Sequence, residues 1–155
     1  MSYLNNRNKA IQQYEGAYHL LNVTFPLIKD PKLLMGIINN IYSSLKYGVE
    51  AILCYERQLR LISDYTDDFQ SKFNLFRYKS VKRNKIPSEI INLFIDLKEL
   101  INLHKISPIE FQRGNRYVIA TKDYQLKVLS IKEIKMYLEL NKQFLNIIDN
   151  ILKIK

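Results

Sequence analysis

The sequence predicts a mainly α-helical protein: a bundle of about five helices, with one long central helix and a small β-hairpin before the C-terminal helix. Only four glycines and four prolines occur in 155 residues, so turns are few and the elements are long. Apolar residues recur at alternating steps of three and four along most of the chain, as on one face of an α-helix. Residues 116–120 and 125–129 alternate instead, which is typical of strands.

Length and composition indicate one domain, residues 1–155, with a single core, since 47% of the residues are hydrophobic. No apolar run approaches the ~20 residues that span a bilayer, so no membrane partner is expected. Residues 1–8 are polar and lack the apolar core of a secretory signal. Cys54 is the only cysteine, which excludes an internal disulfide and favours a cytoplasmic location.

The first helix is predicted over residues 8–25 and should end at Pro26, because proline cannot donate to the preceding turn. Asp30 and Pro31 then predict the start of a second helix. Asp30 can cap free N–H groups there, and Pro31 suits the first helical position.

The second helix has the clearest spacing in the sequence. Its apolar stripe consists of Leu34, Ile38, Ile41, Leu45, Gly48, Ile52, Tyr55, Leu59 and Ile62. A helix of ~30 residues would be about 45 Å long, which predicts a central position in the bundle. Gly48 either lets another helix approach closely or marks a kink.

Asp64, Asp67 and Asp68 predict the N-terminus of a third helix, where acidic side chains are favoured. Residues 77–85, called the basic segment below, contain five basic residues and no acid. We interpret the segment as a helix end followed by a solvated loop.

A fourth helix should start at Pro87 and Ser88 and run to His104, with apolar residues on most sides. Such a helix is central in a bundle or covered by a partner chain. Ser107 and Pro108 predict one further helical turn, ending near Gly114.

The predicted hairpin pairs residues 116–120 with residues 125–129 across a turn at 121–124. Ser130 and Glu133 then form a capping-box match that predicts the last helix, ending near Leu152. Asn141 stands in the apolar stripe of this helix. It either sets register or oligomeric state or faces solvent at the edge of the stripe.

No catalytic, cofactor or metal site is predicted. His19 and His104 are the only histidines, and neither has a second ligand at metal-binding spacing. We interpret His104 as a hydrogen-bonded core or helix-end residue, His19 as a surface residue and Cys54 as a small buried filler. The four glycines stand alone, so no phosphate-binding loop is present.

A net charge of +9 allows binding to a polyanion, although lysine-rich coding alone would also produce it. Basic residues interleaved with Phe76 and Tyr78 suit single-stranded nucleic acid, because cations meet phosphates and bases stack on rings. The candidate RNA- or DNA-binding residues are Arg77, Lys79, Lys82, Arg83, Lys85, Arg113 and Arg116. The alternative is a solvated connection between helices.

Arg113, Gly114, Asn115 and Arg116 precede residues 117–120. Together with the long second helix, this stretch resembles the HEPN superfamily. Its helical bundles often dimerise, and some of its members cleave RNA. Active members carry a histidine shortly after the arginine, and none follows here, so the resemblance implies a dimerising bundle without the RNase motif. Residues 23–30 and 107–111 are also similar to small uncharacterised archaeal helical proteins, which implies no activity.

Three functional hypotheses follow. The first is a non-enzymatic helical-bundle protein that acts through protein contacts, as a homodimer or with another helical protein, because the second and fourth helices carry surplus apolar surface. The second is RNA or DNA binding through the basic segment. The third is a HEPN-type ribonuclease or toxin component, which here lacks a general base.

Overall fold

The computed structural model describes residues 2–30, 32–106, 109–114, 116–120 and 126–154. Most of them are helical and a small antiparallel sheet precedes the C-terminal helix, so the predicted fold class is confirmed. The helical elements are α1 (Tyr3–His19), a π-helical turn (Leu20–Thr24), α2 (Phe25–Ile28), α3 (Lys32–Gln58), α4 (Phe69–Leu75), a second π-helical turn (Phe76–Ser80), α5 (Val81–Asn84), α6 (Ser88–Ile106) and α7 (Ile131–Ile151). Because α1 continues into α2 and α4 into α5, these segments form five rods.

The first rod runs past Pro26, so the predicted helix end at this residue is wrong. Ser2 caps α1 by accepting a hydrogen bond from the Asn5 amide at 3.1 Å. The π-helical turn just before α2 explains the continuation, since its wider turn tolerates a residue that has no N–H to donate. The rod ends at Lys29, which takes a left-handed φ of 55°.

α3 is the central helix, and its apolar seam is covered within the chain. The Lys32 amide donates to Asp30 Oδ1 at 3.0 Å, which confirms the predicted cap, while Pro31 lies outside the described residues. The buried seam consists of Leu34, Ile38, Ile41, Leu45, Gly48 and Ile52. α1, α6 and α7 pack against this helix. α3 is continuous through Gly48, so the helix is not split in two there.

The end of α3 is a Schellman motif built on arginine. The Leu61 amide donates to the Glu56 carbonyl at 2.9 Å, and the Arg60 amide donates to the Arg57 carbonyl at 3.0 Å. Arg60 takes the left-handed position, with φ of 59°, that glycine usually occupies. The helix therefore ends at Gln58, earlier than its apolar spacing predicted.

The second of the two rods built from joined helices runs from α4 to α5 and is called the second rod below. It begins where predicted and then includes most of the basic segment. Asp68 caps α4 by accepting from the Ser71 amide at 2.9 Å. The rod continues to Asn84, so the predicted helix end is confirmed, whereas the solvated loop predicted to follow it within the basic segment is wrong up to Asn84. Phe76 and Ser80 are buried on one side of this stretch, and that buried side holds it helical.

The sheet consists of β1 (Ile109–Arg113), β2 (Arg116–Ala120) and β3 (Leu126–Ser130), paired antiparallel in that order. The predicted hairpin of β2 and β3 is confirmed, but β1 replaces the predicted helical turn. Gly114, with φ of 64°, joins two strands whose last paired residues are Arg113 and Arg116. A two-residue connection with glycine at positive φ favours a hairpin over a helix end.

The inner face of the sheet joins the core through Tyr117, Ile119 and Leu129. The predicted cap at Ser107 and Pro108 lies outside the described residues, as does the turn at residues 121–124. The sheet therefore closes one end of the helical bundle with one face and leaves its other face outward.

α7 starts at the predicted N-cap, where the Glu133 amide donates to Ser130 Oγ at 3.1 Å and the Ser130 hydroxyl lies 3.4 Å from Glu133 Oε1. Asn141 is fully buried and donates through Nδ2 to Ser44 Oγ at 3.0 Å, so the alternative in which it faces solvent is wrong. Ser44 in turn donates to the Ala10 carbonyl at 2.7 Å. These three polar groups connect α7, α3 and α1 inside the core.

Candidate binding groove between α4 and α6

An open groove of about 450 Å³ lies between α4 and α6, and four aromatic rings form its floor. Tyr42 comes from α3, Phe69 and Phe73 from α4, and Phe94 from α6. Phe69 and Phe73 stack with ring centroids 5.9 Å apart, and Phe73 lies 5.0 Å from Phe94. Their spacing of four residues places both α4 rings on one face. Phe94 is buried whereas Phe69 and Phe73 are partly open, so the floor is ordered and reachable from solvent.

The rim of the groove carries exposed aliphatic side chains beside charges of both signs. Ile95 is 42% exposed and Ile106 is 60% exposed. Arg77, Lys98 and Glu99 extend into solvent next to them. Among the described residues, neither Arg77 nor Glu99 has an ion-pair partner. The groove therefore presents an apolar centre with open charges at its edge.

Polar contacts hold α4 in place under the groove. Lys72 is buried between α3 and α4, where its Nζ bonds Glu50 and, at 3.0 Å, Asp67. Burial lowers the pKa of Lys72, but hydrogen bonds to the two carboxylates outweigh it and raise the pKa above its ordinary value. Lys98 of α6 donates to Gln70 of α4 at 3.0 Å. Sequence reasoning missed Lys72, because nothing near it in the chain shows that it meets a carboxylate of α3.

The basic segment does not form one surface. Arg77 lines the groove, whereas three lysines are exposed beyond it: Lys79 in the second π-helical turn, Lys82 on α5 and Lys85 just after α5. Tyr78, which flanks them, is 61% exposed. Sequence reasoning placed Arg77 among nucleic-acid-binding residues, and the structure places it beside aromatic rings of the groove.

The guanidinium group of Arg83 is paired with a carboxylate inside the protein. Its Nη1 pairs with Glu56 Oε2 at 2.5 Å, and its Nη2 donates to the Leu61 carbonyl at 3.1 Å. Ser80 also donates to Glu56, and Asn84 Nδ2 donates to the same carboxylate at 3.3 Å. Because Glu56 is 1% exposed, three donors of the second rod satisfy a buried carboxylate of α3.

Arg113 and Arg116 lie at the other end of the bundle. A cleft lined by Phe25, Lys29 and Gln112 places β1 beside the residues that immediately precede α3. The basic segment contacts Glu56, near the C-terminus of the same helix. At ~1.5 Å per helical residue the two places are about 40 Å apart. The seven predicted basic residues are therefore not brought together.

The remaining chemical candidates lie where the sequence predicted. His104 is a helix-end residue whose Nδ1 lies 2.7 Å from Glu110 Oε1, and the Tyr117 hydroxyl donates to the same carboxylate at 2.5 Å. His19 is exposed and Cys54 is buried. Within the ranges that the structure describes, no group of three or more histidine, cysteine, aspartate or glutamate side chains is placed to hold a metal ion.

No family model, curated protein or solved structure matches the chain. Arg113 and residues 116–120, which carry the resemblance to HEPN proteins, lie in the β1–β2 hairpin and not at a helix start. In the part of the chain that the structure covers, no helix has the length and apolarity needed to cross a membrane.

Proposed function

We propose that the protein is a non-enzymatic cytoplasmic helical-bundle protein that acts through protein contacts, and that it forms a homodimer through the groove between α4 and α6. The observation that carries the proposal is the aromatic floor of this groove, open to solvent beside Ile95 and Ile106. The apolar seam of α3 does not need a partner chain to cover it, because other helices of the same chain pack against it.

The apolar character of the groove supports a contact with another protein chain. Contiguous exposed apolar surface, rimmed by polar residues, is typical of interaction sites in water-soluble proteins. Aromatic rings in a preformed depression suit the central part of an interface, where a partner side chain can be fully desolvated. Ile95 and Ile106 are the projecting side chains that a facing depression could accept.

The charges on the rim support a second copy of the chain as the partner. In a two-fold interface the same patch meets itself, so it must be complementary to itself. This rim contains cations at Arg77 and Lys98 and an anion at Glu99. A two-fold arrangement can therefore place Glu99 of one copy against Lys98 of the other, and the projecting isoleucines into the facing depressions.

Sedimentation velocity at micromolar concentration tests the proposal. The native chain should sediment with twice the 18.5 kDa mass of one chain. Ile95→Asp should shift it to a monomer, because a carboxylate would be buried in the facing depression of the other copy. Met136→Asp is the matched control, since Met136 is 53% exposed on α7 and does not line the groove, and this variant should remain dimeric. A native chain that sediments as a monomer would contradict the proposal.

A further inference from the structure

A second open apolar surface lies on the outer face of the sheet and shares no lining residue with the α4–α6 groove. It encloses about 320 Å³ and is lined by Phe111, Arg113, Arg116, Val118, Leu126 and Val128, which together are called the outer sheet face below. Phe111 is 42% exposed and Leu126 is 63% exposed. The inner face packs into the core, so this outer face is the side of the sheet that is left open.

The strand register arranges these side chains into a cationic end and an apolar platform. Phe111 pairs with Val118, which pairs with Val128, so these three lie side by side across the sheet. Arg113 pairs with Arg116 next to the Gly114 turn, and alternation along the strands places both on the same face as Phe111. Two guanidinium groups therefore stand at one end of an apolar surface in which Val118 is buried and the Phe111 ring is exposed.

The charges of this face point to an anionic ligand. Among the residues that the structure describes, neither Arg113 nor Arg116 has an ion-pair partner, and the lining contains no acidic side chain. Two neighbouring arginines repel each other unless an anion lies between them, and guanidinium groups suit phosphate oxygens because they donate two parallel hydrogen bonds. The net charge of +9 favours the approach of any polyanion.

We infer that the outer sheet face binds single-stranded nucleic acid, with phosphates at Arg113 and Arg116 and a base stacked on Phe111. An acidic peptide would satisfy the arginines but would leave the exposed ring and the aliphatic platform without a matching group. A nucleotide supplies both an anionic phosphate and a flat base, which the combination of arginines and an aromatic ring on one face recognises. This inference does not depend on the proposed dimer, because it uses a different surface.

Fluorescence anisotropy with a labelled oligo-dT of about ten nucleotides tests the inference. Arg113→Gln with Arg116→Gln should weaken binding at least tenfold. The slope of log K against log salt concentration should also become less steep by about 1.4. Each of the two phosphates that the variant no longer neutralises contributes about 0.7 to that slope. Phe111→Ala should weaken binding roughly tenfold, because the base can no longer stack, and leave the salt slope unchanged. Circular dichroism of each variant should match the native chain, since all three side chains are exposed.

Lys82→Gln with Lys85→Gln is the matched control, because it removes the same charge at the other end of the bundle. An affinity close to that of the native chain supports the outer sheet face. An equal loss in the two double variants would overturn the inference and indicate attraction by net charge alone. Absence of binding by the native chain at low salt would also overturn it. So would equally tight binding of a labelled oligoglutamate that is insensitive to Phe111→Ala, which would assign the face to acidic peptides.

Discussion

Gly48 of α3 lies so close to Phe144 of α7 that a Cβ atom at this position would be 2.7 Å from the ring carbon Cε2. The same Cβ would be 2.6 Å from Ile148 Cδ1. Both neighbouring side chains are fully buried, so they have little room to move. The missing side chain of Gly48 is therefore what allows α7 to cover the apolar seam of α3.

Gly48→Ala should destabilise the protein by about 1–2 kcal/mol. Alanine gains up to about 1 kcal/mol of helix propensity, but overpacking a buried contact costs about 1–3 kcal/mol. Gly36→Ala is the control on the same helix, since its Cβ would meet only Leu20 Cδ1 at 3.8 Å, and it should stabilise slightly. Urea unfolding measures both changes. Equal effects of the two substitutions would show that α7 does not approach α3 this closely.

Glu56→Ala should destabilise the protein by about 2–4 kcal/mol. The substitution leaves Ser80 and Arg83 without the acceptor that joins the second rod to α3. Glu15→Ala, an exposed carboxylate on α1, should change stability by less than about 0.5 kcal/mol. Chemical denaturation of both variants checks this, and a small effect at Glu56 would mean that the arginine is not bound there.

Asp68 should contribute to the acid sensitivity of the fold. Hydrogen bonds from the Thr66 hydroxyl and the Ser71 amide lower the pKa of Asp68 from 3.8 to about 2. A carboxylate with a depressed folded-state pKa stabilises the protein above the unfolded value of 3.8, and this contribution is lost as pH falls towards 2. Asp68→Asn keeps an acceptor that does not titrate. The stability advantage of the native chain over this variant should therefore shrink between about pH 4 and pH 2 in thermal melts, and a constant difference would contradict it.

Arg60→Gly should stabilise the end of α3 by up to about 1 kcal/mol. A non-glycine residue in the left-handed region costs roughly 1–2 kcal/mol, and glycine removes this cost. Part of the gain is offset because glycine gives the unfolded chain more conformational entropy to lose on folding. Arg60→Ala removes the same charge but keeps the Cβ atom, so it should not stabilise. Thermal unfolding of the two variants separates backbone strain from charge, and stabilisation by alanine alone would contradict the Schellman motif.

The parts of the fold that could be predicted are those with local signals. The seam of α3 and the N-cap at Ser130 follow from the spacing and identity of nearby residues. Helix ends were missed where Lys29, Arg60 and Lys85 take the left-handed position, because the usual signal there is glycine. The predicted helix stop at Pro26 is wrong because a π-helical turn has no local signal in the sequence.

The candidate surfaces needed tertiary information. The four-residue spacing of Phe69 and Phe73 is visible in the sequence, but only the position of α6 shows that they form the floor of an open groove. Arg83 has the same local sequence context as Lys82, yet only Arg83 reaches Glu56, which is 27 residues earlier. The strand β1 depends on pairing with β2, and that pairing gave Phe111 and the two arginines a common face.

A charge-exchange experiment at the rim of the α4–α6 groove tests the central claim most directly. Lys98→Glu and Glu99→Lys should each weaken self-association, because each places like charges opposite one another in a two-fold contact. Mixed in equal amounts, the two variants should associate with each other and recover the mass of a dimer in sedimentation velocity. If the mixture sediments as monomers while the native chain is a dimer, the groove is not the contact between copies.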